Sequence, residues 1–534
     1  MPATIRESAA EDAQKWLDLL KGSFGEDHPA KQVYDLNWAK GEMAPNPNSK
    51  TWVAEQDGKL QASLTVLAPF PSRGNAVCNL GRNLFRPESY QNGAAEALVK
   101  KLVSDGESNG FILVARVLAS DKAQQTLFEH AGFICAGFQP FKHIHRSREN
   151  ALFYVRIGRA TLDSRLSLSE SLPQVSELAN LVLNACHVSP PTAVRDGVTG
   201  YPLKTELEVQ EATADDYELW RTQAESGNPP VEVSGLYNAG HGFFRLPGTQ
   251  PLKSILGLRQ GIVVAGIRYF VDEQDRCVRV VDSFTTDDLS MGALLGTVVK
   301  RSQEQHNAVY VEVDVLITAP RFMKSAEQLG FVPVAYLPAF FTKDQRATDV
   351  IKLVKLNTSY ALENNNLTSL AQAVVKVVDY NYQDQKIGVA IINLLARLPI
   401  FEGLGDGELR KIARLFTQKL YRGGEKVFNK GDQGNEAYIV MRGQIDICLD
   451  EKSPPVASVL NGQIFGEQAF LDGSARGGLA VASQPSILLV MQRSAFNDLV
   501  QREPHLGMVV IRNIAMDLSN KLRRANQNLS GPRR

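Results

Sequence analysis

The feature that most constrains this chain is an internal repeat. The segment AGFICAGFQPF in the first third of the chain corresponds to LGFVPVAYLPAF in its second half. Four pairs of residues share one offset: Gly132 with Gly330, Phe133 with Phe331, Phe138 with Tyr336, and Pro140 with Pro338. Such a correspondence predicts two copies of one structural unit, so the fold of the first copy predicts that of the second.

Strand and helix patterns follow the same order in both copies. Residues 1–160 contain a hairpin around Asp57 and Gly58, a strand (AVCNLGRNLF), a helix (GAAEALVKKLVSDGES), a buried strand (FILVARVL) and a helix (DKAQQTLFEHAGF). Residues 206–358 contain a hairpin around VDEQDR, a strand, a helix, the strand AVYVEVDVL and a further helix. Strands mixed with helices in this order predict two α+β or α/β domains.

The rest of the sequence predicts further divisions, because 534 residues exceed what one hydrophobic core serves. Residues 161–205 form a connector with one predicted helix (SELANLVLNACHV). Residues 359–395 form a helical linker with two predicted helices (AQAVVKVVDY and GVAIINLLARL). Residues 396–530 form the last predicted domain.

Composition excludes several classes of protein. The 58 basic and 58 acidic residues cancel, so no global field attracts nucleic acid or an anionic membrane. The N-terminus lacks the apolar run of a signal peptide, and no segment approaches the ~20 apolar residues of a membrane helix. The five cysteines lie far apart and the eight histidines show no zinc-ligand spacing. We therefore expect reduced thiols, no metal site and a cytoplasmic location.

The segment FGEQAFLDGSARGGLAVA (Phe465–Ala482) surrounds an acidic and a basic residue with small ones. Gly466, Ala469 and Gly478 allow the backbone to approach an anion, which N–H groups at a helix start bind. Arg476 offers a charge-assisted hydrogen bond to phosphate oxygens. The segment therefore predicts a site for a small phosphorylated ligand.

This segment, with the preceding YRGGEKVFNKGDQGNEAYIVMRGQIDICL, resembles the cyclic nucleotide-binding domain family. The resemblance implies a β-roll with flanking helices in residues 396–530. It also implies a ligand site made of Gly466, Glu467, Ala469, Arg476, Gly477 and Gly478. In that site Glu467 would accept a hydrogen bond from the ribose 2′-hydroxyl. Gly477 has no hydroxyl to offer to guanine, so the resemblance implies cAMP rather than cGMP. The alternative is a degenerate β-roll that binds nothing, and the retained Glu467 and Arg476 favour binding.

The C-terminal segment HLGMVVIRNIAMDLSNKLRRANQNL predicts one long helix. Its predicted apolar stripe consists of Leu506, Val510, Ile514, Leu518 and Leu522. In bacterial relatives of the family such a helix pairs two subunits, which implies a homodimer; packing on its own β-roll is the alternative. Lys521, Arg523 and Arg524 are predicted to form a solvated helix end. Because Arg534 follows closely, we expect no helix-turn-helix and no nucleic-acid partner.

The element order of residues 1–160 and the helix ending TLFEHAGF resemble the GCN5-related N-acetyltransferase (GNAT) family. RPESYQNGAAEAL lies where that family binds the CoA pyrophosphate, usually with Gln/Arg-x-x-Gly-x-Gly/Ala. The resemblance implies that the backbone of Gly93, Ala94 and Ala95 binds acetyl-CoA or another acyl-CoA, although Tyr90 replaces the usual Gln or Arg.

The second copy departs further from this pattern. Gly292 matches the motif, but Leu294 would crowd a pyrophosphate. We therefore predict at most one acyl-CoA per chain, bound by the first copy.

The catalytic residues stay unassigned. The family often uses a tyrosine as proton donor at the position of Phe128 in the first copy and Ala326 in the second. Neither side chain can donate a proton, although water could substitute. Glu312 and Asp314 alternate on a strand and so share one face. One of them could act as a general base; the more frequent alternative is a pair that faces an arginine or a loop.

Taken together, the sequence predicts tandem acetyltransferase-like domains followed by a cyclic nucleotide-binding domain. The function that follows is a cAMP-regulated N-acyltransferase whose acceptor amine is unknown, with no membrane partner. The alternative is a non-catalytic cAMP-responsive sensor or scaffold built on degenerate acetyltransferase domains. The missing tyrosines favour the sensor, and the retained Gly93, Ala94 and Ala95 favour the enzyme.

Overall fold

The computed structural model describes most of the chain, in segments separated by short gaps. The described residues are 2–26, 31–44, 49–67, 77–108, 110–144, 148–166, 170–191, 193–194, 198–226, 233–234, 252–273, 275–343, 346–363 and 365–530. Contacts divide the chain into two compact units, Met1–Tyr382 and Gln383–Arg534. Both copies of the repeat belong to the first unit.

The first unit contains seventeen strands among its described residues. They are β1 (Thr4–Glu7), β2 (Ser49–Gln56), β3 (Lys59–Leu67), β4 (Val77–Phe85), β5 (Ile112–Leu118), β6 (Ile134–Ile144), β7 (Arg148–Arg156), β8 (Glu170–Ser171), β9 (Ala193–Val194), β10 (Glu208–Ala212), β11 (Val233–Ser234), β12 (Lys253–Arg259), β13 (Ile262–Asp272), β14 (Cys277–Thr285), β15 (Tyr310–Leu316), β16 (Val332–Lys343) and β17 (Arg346–Leu356). The helices are α1 (Ala13–Phe24), α2 (Leu36–Met43), α3 (Pro87–Gln91), α4 (Ala94–Ser108), α5 (Lys122–His130), α6 (Arg159–Asp163), α7 (Pro173–Ala185), α8 (Ala214–Ser226), α9 (Met291–Glu304), α10 (Pro320–Gln328) and α11 (Ser369–Leu395).

One continuous sheet runs through both copies of the repeat. Its strand order is β1-β2-β3-β4-β5-β7-β6-β16-β17-β15-β14-β13-β12-β10, with β11 paired to β14. The order in the second half mirrors that in the first, and β6 meets β16 at the junction. There Gly137 pairs with Ala335, and a Cβ on Gly137 would lie 2.2 Å from the Ala335 Cβ. The close approach of the two halves therefore requires a glycine at this position.

The repeat extends to an unusual backbone feature. Phe141 on β6 and Ala339 on β16 both have positive φ, 54° and 52°, at a bulge in their strands. The N–H of Phe141 donates to Asn150 Oδ1 (3.0 Å), and the N–H of Ala339 donates to Asp349 Oδ1 (2.9 Å). Such a conformation is strained outside glycine and is seldom repeated by chance. The two halves thus share a topology, while the assignment of both as acetyltransferase domains stays a prediction.

Local signals in the first unit gave several correct elements. Asp57 and Gly58 have φ of 51° and 74°, as the predicted hairpin turn between β2 and β3 requires. The predicted connector helix is α7, which packs on β6 and β16. The two helices predicted in the linker are wrong as separate elements, because α11 is continuous through the division between Tyr382 and Gln383.

The second unit is a β-roll of two four-stranded sheets with helices around it. The sheets have the orders β18-β25-β20-β23 and β19-β24-β21-β22. The strands are β18 (Phe416–Tyr421), β19 (Lys426–Phe428), β20 (Glu436–Arg442), β21 (Gln444–Cys448), β22 (Pro455–Leu460), β23 (Ile464–Phe465), β24 (Leu479–Ala482) and β25 (Ser486–Gln492). The remaining helices are α12 (Asp406–Ala413), α13 (Glu467–Asp472), α14 (Arg493–Arg502) and α15 (Pro504–Ser530).

The long C-terminal helix, α15, follows the sequence prediction along most of its length. Leu506, Val510 and Ile514 are buried in the core of the second unit, and Leu518 packs at the edge of that core. Leu522, the last member of the predicted apolar stripe, is exposed and does not pack on this core. Packing on its own β-roll therefore describes the first part of the helix.

Among the helices of the described residues, none is both long enough and apolar enough to cross a membrane.

Candidate functional site

The first candidate site lies at the turn from β23 into α13. Gly466 has a φ of 76° and precedes the first residue of α13. A Cβ on Gly466 would lie 2.7 Å from Arg476 Nη1. Glycine therefore satisfies both the left-handed backbone and the approach of the arginine.

Arg476 is the buried cation of this site. Its Nη1 donates to the Gly466 carbonyl (2.8 Å) and its Nη2 donates to the Glu436 carbonyl (2.6 Å). Its guanidinium carbon lies 4.3 Å from the centre of the Phe428 ring. Its Nε is buried and has no hydrogen-bond partner among the described residues. Burial lowers the pKa of Arg476 below its ordinary value, because the charged guanidinium has lost hydrating water. A bound anion would stabilise the charged form of Arg476.

Glu467, the first residue of α13, is buried beside a lysine from α15. Lys521 Nζ lies 2.7 Å from Glu467 Oε1 and donates to the Ile464 carbonyl at 3.1 Å. Burial opposes the charge of Lys521, but attraction to Glu467 and hydrogen bonds to Glu467 and Asp517 raise its pKa overall. Lys521 is exposed, as predicted for the helix end, and its ammonium group also pairs with Glu467, which the sequence did not predict.

The other predicted ligand residues lie in the same segment. Ala469 is buried, and a Cβ on the facing Gly434 would lie 2.1 Å from the Ala469 Cβ. A Cβ on Gly478 would lie 2.7 Å from the Cys448 carbonyl, so the backbone is tightly packed there. At Gly477 a Cβ would meet nothing within 4 Å. The structure thus brings Arg476 against Gly466 and leaves space beside Gly477.

These groups match the chemistry of a ribose phosphate. A buried guanidinium with an unused N–H, close to backbone N–H groups at a helix start, suits a singly charged phosphate. A buried carboxylate accepts hydrogen bonds only, and so suits a sugar hydroxyl. Sequence reasoning missed Lys521 and the carbonyl of Glu436, because nothing in the local sequence relates either residue to the site.

The second candidate site lies at the start of α4 in the first half. Gly93 has a φ of 79°, and a Cβ there would meet nothing within 4 Å. Ala94 and Ala95 are buried, backbone included, whereas Gly93 is half-buried. The N–H of Ala94 donates to Asn92 Oδ1 at 3.0 Å, so one donor of the predicted loop already has a partner.

A gap between two parallel strands lies beside this helix start. The parallel pairing of β4 with β5 ends at Leu80 and Ala115, although both strands continue. Among the described residues, no strand pairs with this part of β4 on the side of β5. Asn83 Nδ2 of β4 donates to the Arg116 carbonyl of β5 at 3.2 Å, so a side chain links the two strands where their backbone pairing has ended.

In the second half the chain itself fills the corresponding space. A Cβ on Gly292 would lie 2.6 Å from the carbonyl oxygens of Tyr201 and Pro202. Ahead of α9, Asp287 Oδ1 accepts the N–H groups of Leu289 (3.1 Å) and Ser290 (2.9 Å). These two N–H groups already donate to the Asp287 carboxylate, so they are not free to bind a pyrophosphate.

The strand gap of the second half is filled as well. Pairing of β14 with β15 ends at Val280 and Val313. Beyond that point β11 pairs with Ser283 and Phe284 of β14. One edge of β14 is paired with β13 there, so β11 occupies the opposite edge, which β15 no longer covers. The two halves therefore differ at this place. In the second half the strand β11 fills the gap, and in the first half no described strand does.

Comparison with known proteins identifies two parts of the chain. Residues 13–133 match the model of the acetyltransferase (GNAT) family, and residues 418–503 match the model of the cyclic nucleotide-binding domain. The chain carries a GNAT acetyltransferase domain and a cyclic nucleotide-binding domain.

Individual relatives match over limited parts of their length. The Cyclic AMP receptor protein of Thermus thermophilus is 31% identical over 134 residues, which are 24% of this chain and 60% of that protein. The cGMP-dependent protein kinase egl-4 of Caenorhabditis briggsae is 30% identical over 115 residues, 21% of this chain and 15% of that protein. The crystal structure of Thermus thermophilus Catabolite Activator Protein has a TM-score of 0.23 and 30% identity, over 24% of this chain and 61% of that chain. The chain thus spans less than two thirds of each of these relatives.

The GNAT domain lacks a hydroxyl at the position where its family often has the proton donor. Phe128 is fully buried, with its ring centre 5.0 Å from that of Phe133 in an edge-on contact. A tyrosine hydroxyl does occur nearby, because Tyr154 stacks on Phe128 at 6.4 Å, but it donates to Glu129 Oε1 at 2.8 Å. In the second half Ala326 is fully buried.

The two carboxylates predicted to share a face of β15 do so, and both are buried. Glu312 receives Lys142 Nζ at 2.9 Å and also pairs with Arg279. Asp314 pairs with Lys352. The alternative in which the carboxylates face cations therefore describes the structure. The three cations come from β6, β14 and β17, and only the tertiary structure brings them together.

Within the described segments, no group of three or more His, Cys, Asp or Glu side chains could hold a metal ion.

Proposed function

We propose that this chain is a cAMP-regulated N-acyltransferase that uses acetyl-CoA or another acyl-CoA. The observation that carries the proposal is the buried Arg476, whose Nε has no partner although its other nitrogens hold the Gly466 and Glu436 carbonyls. An unused donor on a buried cation is costly unless a ligand completes it. A cyclic phosphate at this point would accept from Arg476 and from the N–H groups that open α13.

The choice of cAMP over cGMP rests on Gly477. The names of the relatives include both nucleotides, so they do not decide between them. A glycine offers guanine no side-chain hydrogen bond, whereas adenine needs none at this position.

In the acyltransferase reaction an amine nitrogen attacks the thioester carbonyl of the acyl-CoA. The C–N bond forms and the C–S bond breaks, so the amine loses a proton and CoA leaves as a thiolate that takes one up. The donor would lie in the gap between β4 and β5, with its pyrophosphate at Gly93. A thiolate is a good leaving group at neutral pH, so water can supply the proton that no tyrosine at the position of Phe128 donates.

A second candidate function is a non-catalytic cAMP-responsive sensor. The observation that favours it is the apolar packing of Phe128 and Ala326, since both lie in the core where a proton donor would stand. In this case the space at Gly93 would be a relic, and cAMP would act on a partner protein instead of on acyl transfer.

A titration and an activity assay test the proposal together. In isothermal titration calorimetry, Arg476→Ala lowers cAMP affinity by about 30- to 150-fold, because a charged hydrogen bond contributes roughly 2–3 kcal/mol. Arg442→Ala, which removes an exposed arginine of the same β-roll, leaves the affinity unchanged. Unchanged binding by Arg476→Ala would refute the site. Binding of cAMP without acetyl transfer to any amine of a broad panel would leave the sensor.

A homodimer stays a prediction. On α15, Met508, Ile511 and Leu522 are exposed, although the buried side of the same helix packs on its own unit. Exposed apolar side chains spaced along one helix suit a helix–helix interface.

A further inference from the structure

The central sheet of the first unit curls so that its two halves face each other. Gln139 on β6 donates through Nε2 to the Tyr310 hydroxyl (3.1 Å) and to Glu312 Oε2 (3.3 Å) on β15. In strand order β16 and β17 lie between β6 and β15, so a flat sheet would separate them by about 14 Å. The direct contacts therefore require an interior that is enclosed by strands of both halves.

This interior carries more positive than negative side chains. The charged side chains nearest to Gln139 and Tyr310 are Arg116, Lys142, Arg279, Lys352, Glu312 and Asp314, and Asp275 lies close enough to attract Lys142. Glu312 forms ion pairs with Lys142 and Arg279, and Asp314 forms an ion pair with Lys352. Both carboxylates are thus engaged, and the cations outnumber them by two when all six are ionised.

Neither Glu312 nor Asp314 forms an ion pair with Arg116 on β5. Its Nε donates to the neutral Gln139 Oε1 at 3.2 Å, and its guanidinium lies 5.2 Å from the centre of the Phe153 ring. Among the described residues no ion pair joins Arg116 to a carboxylate, although Asp314 is near enough to attract it. Burial and repulsion by Arg279 lower the pKa of Arg116 to about 10. Arg116 is partly buried, and a cation that loses part of its hydration without gaining an anionic partner destabilises the fold.

The two lysines show the same surplus of positive charge. Burial lowers the pKa of Lys142 to about 8 and that of Lys352 to about 7, despite their carboxylate partners. An additional anion in the interior would favour the charged form of both lysines.

The position of Arg116 explains how a ligand would enter. Ala115 is the last residue of β5 that pairs with β4, so Arg116 is the first residue at the gap between these strands. Its side chain keeps some accessible surface, whereas its neighbours Gln139, Tyr310 and Glu312 are fully buried. Arg116 therefore lies at the edge of the interior, where the backbone pairing of β4 with β5 has ended.

We propose that this interior is a binding site for a small molecule that carries a carboxylate, with Arg116 as the principal partner of that carboxylate. A guanidinium presents two parallel donors that match a planar carboxylate. A dianionic phosphate fits less well, because Glu312 and Asp314 repel additional negative charge. The same carboxylates attract an ammonium group, so an amino-acid-like zwitterion satisfies both ends of the interior. The further identification of this molecule as the amine acceptor rests on the proposed acyltransferase function.

A calorimetric titration without acyl-CoA tests the site by itself. The probes are L-glutamate, inorganic phosphate and putrescine at up to millimolar concentration, against the full chain. We expect a carboxylate probe to bind, and Arg116→Gln to weaken its binding at least about tenfold. The control Arg156→Gln, which alters an arginine of β7 paired with Glu107 at 2.6 Å, leaves the affinity unchanged. Binding of phosphate alone, or of no probe, overturns the proposal.

The stability of the same variant separates a ligand site from a structural role. Because Arg116→Gln removes a partly buried cation without an ion-pair partner, the unliganded variant melts at the same or a higher temperature than the native chain. A fall of several degrees would mean that Arg116 holds the fold together and overturns the proposal. Carboxylate binding without acyl transfer supports this site and removes the acyltransferase function. Acyl transfer that Arg116→Gln leaves unchanged supports the enzyme and overturns this inference.

Discussion

The buried charges of this chain depend on partners that lie far away in sequence. Glu467 is held by Lys521 of α15, and Arg476 by the carbonyls of Gly466 and Glu436. In the first unit, Glu312 of one half meets Lys142 of the other. At these positions a single substitution alters both the charge balance and the geometry of a candidate site.

A hydroxyl at position 477 should change the choice of nucleotide. A Cβ at Gly477 meets nothing within 4 Å, so Gly477→Thr introduces its hydroxyl without displacing a neighbour. We expect the native chain to prefer cAMP, and Gly477→Thr to improve cGMP affinity about 2- to 12-fold, the value of one hydrogen bond. Competition against a fluorescent cyclic nucleotide measures both affinities. Gly477→Val, which has the same shape without the hydroxyl, is the control. A native preference for cGMP would contradict the argument.

Lys521 should act as a positioning residue for Glu467. Lys521→Met leaves a buried carboxylate without its cation, so we expect lower thermal stability and a roughly 3- to 10-fold loss of cAMP affinity. The diagnostic measurement is the ratio of affinities for cAMP and 2′-deoxy-cAMP. In the native chain this ratio reports the hydrogen bond of Glu467 to the 2′-hydroxyl, and it should shrink in Lys521→Met. A ratio that stays constant would restrict Lys521 to a purely structural role.

At the scale of elements, the two halves differ in what lies at the start of corresponding helices. The start of α4 at Gly93 is open, whereas the start of α9 is covered by the carbonyls of Tyr201 and Pro202 and is capped by Asp287. A shared topology thus carries one open and one filled version of the same feature.

The difference predicts that acyl-CoA binds only at α4. Gly93→Glu should eliminate measurable acetyl-CoA binding in a calorimetric titration, because the side chain adds both bulk and negative charge where the pyrophosphate would lie. Gly93→Ala is the matched control, since it shares the strain of positive φ, about 1 kcal/mol, without the charge or the length. Two molecules of acetyl-CoA per native chain, or binding that survives Gly93→Glu, would contradict the prediction. Gly292→Glu is no useful counterpart, because its side chain would collide with backbone 2.6 Å away.

At the scale of the whole molecule, the chain forms two compact units, and α11 runs continuously through the division between them. A ligand of one unit changes the other only if it binds two conformations of the chain with different affinity. Regulation by cAMP therefore requires a coupling free energy between the cAMP site and the acyl-CoA site.

Reciprocity gives this statement a measurable form. If saturating cAMP changes acetyl-CoA affinity by some factor, saturating acetyl-CoA must change cAMP affinity by the same factor. We expect a factor within the common range of about 5 to 150, and no effect in Arg476→Ala at a cAMP concentration that saturates the native chain but not this weaker-binding variant. Titrations of each ligand with and without the other give both factors. Identical isotherms would exclude coupling through affinity and leave regulation of turnover as the only enzymatic form of the proposal.

The sequence determined the features that local chemistry specifies. The matched segments around Gly132 and Gly330 predicted the repeat. The predicted ligand residues from Gly466 to Gly478 are contiguous in sequence, so they lie close together once the glycines allow the backbone to turn. The hairpin at Asp57 and the length of α15 also followed, since turn residues and helical periodicity act over a few residues.

Only the tertiary structure decided what occupies each site. The join of β6 to β16, the filling of the second gap by β11, and the meeting of Lys521 with Glu467 link residues that no local pattern relates. The same holds for the charged interior around Arg116, whose members come from separate strands of both halves. Burial makes these contacts energetically decisive, because a charge removed from water must find its partner wherever the fold places one.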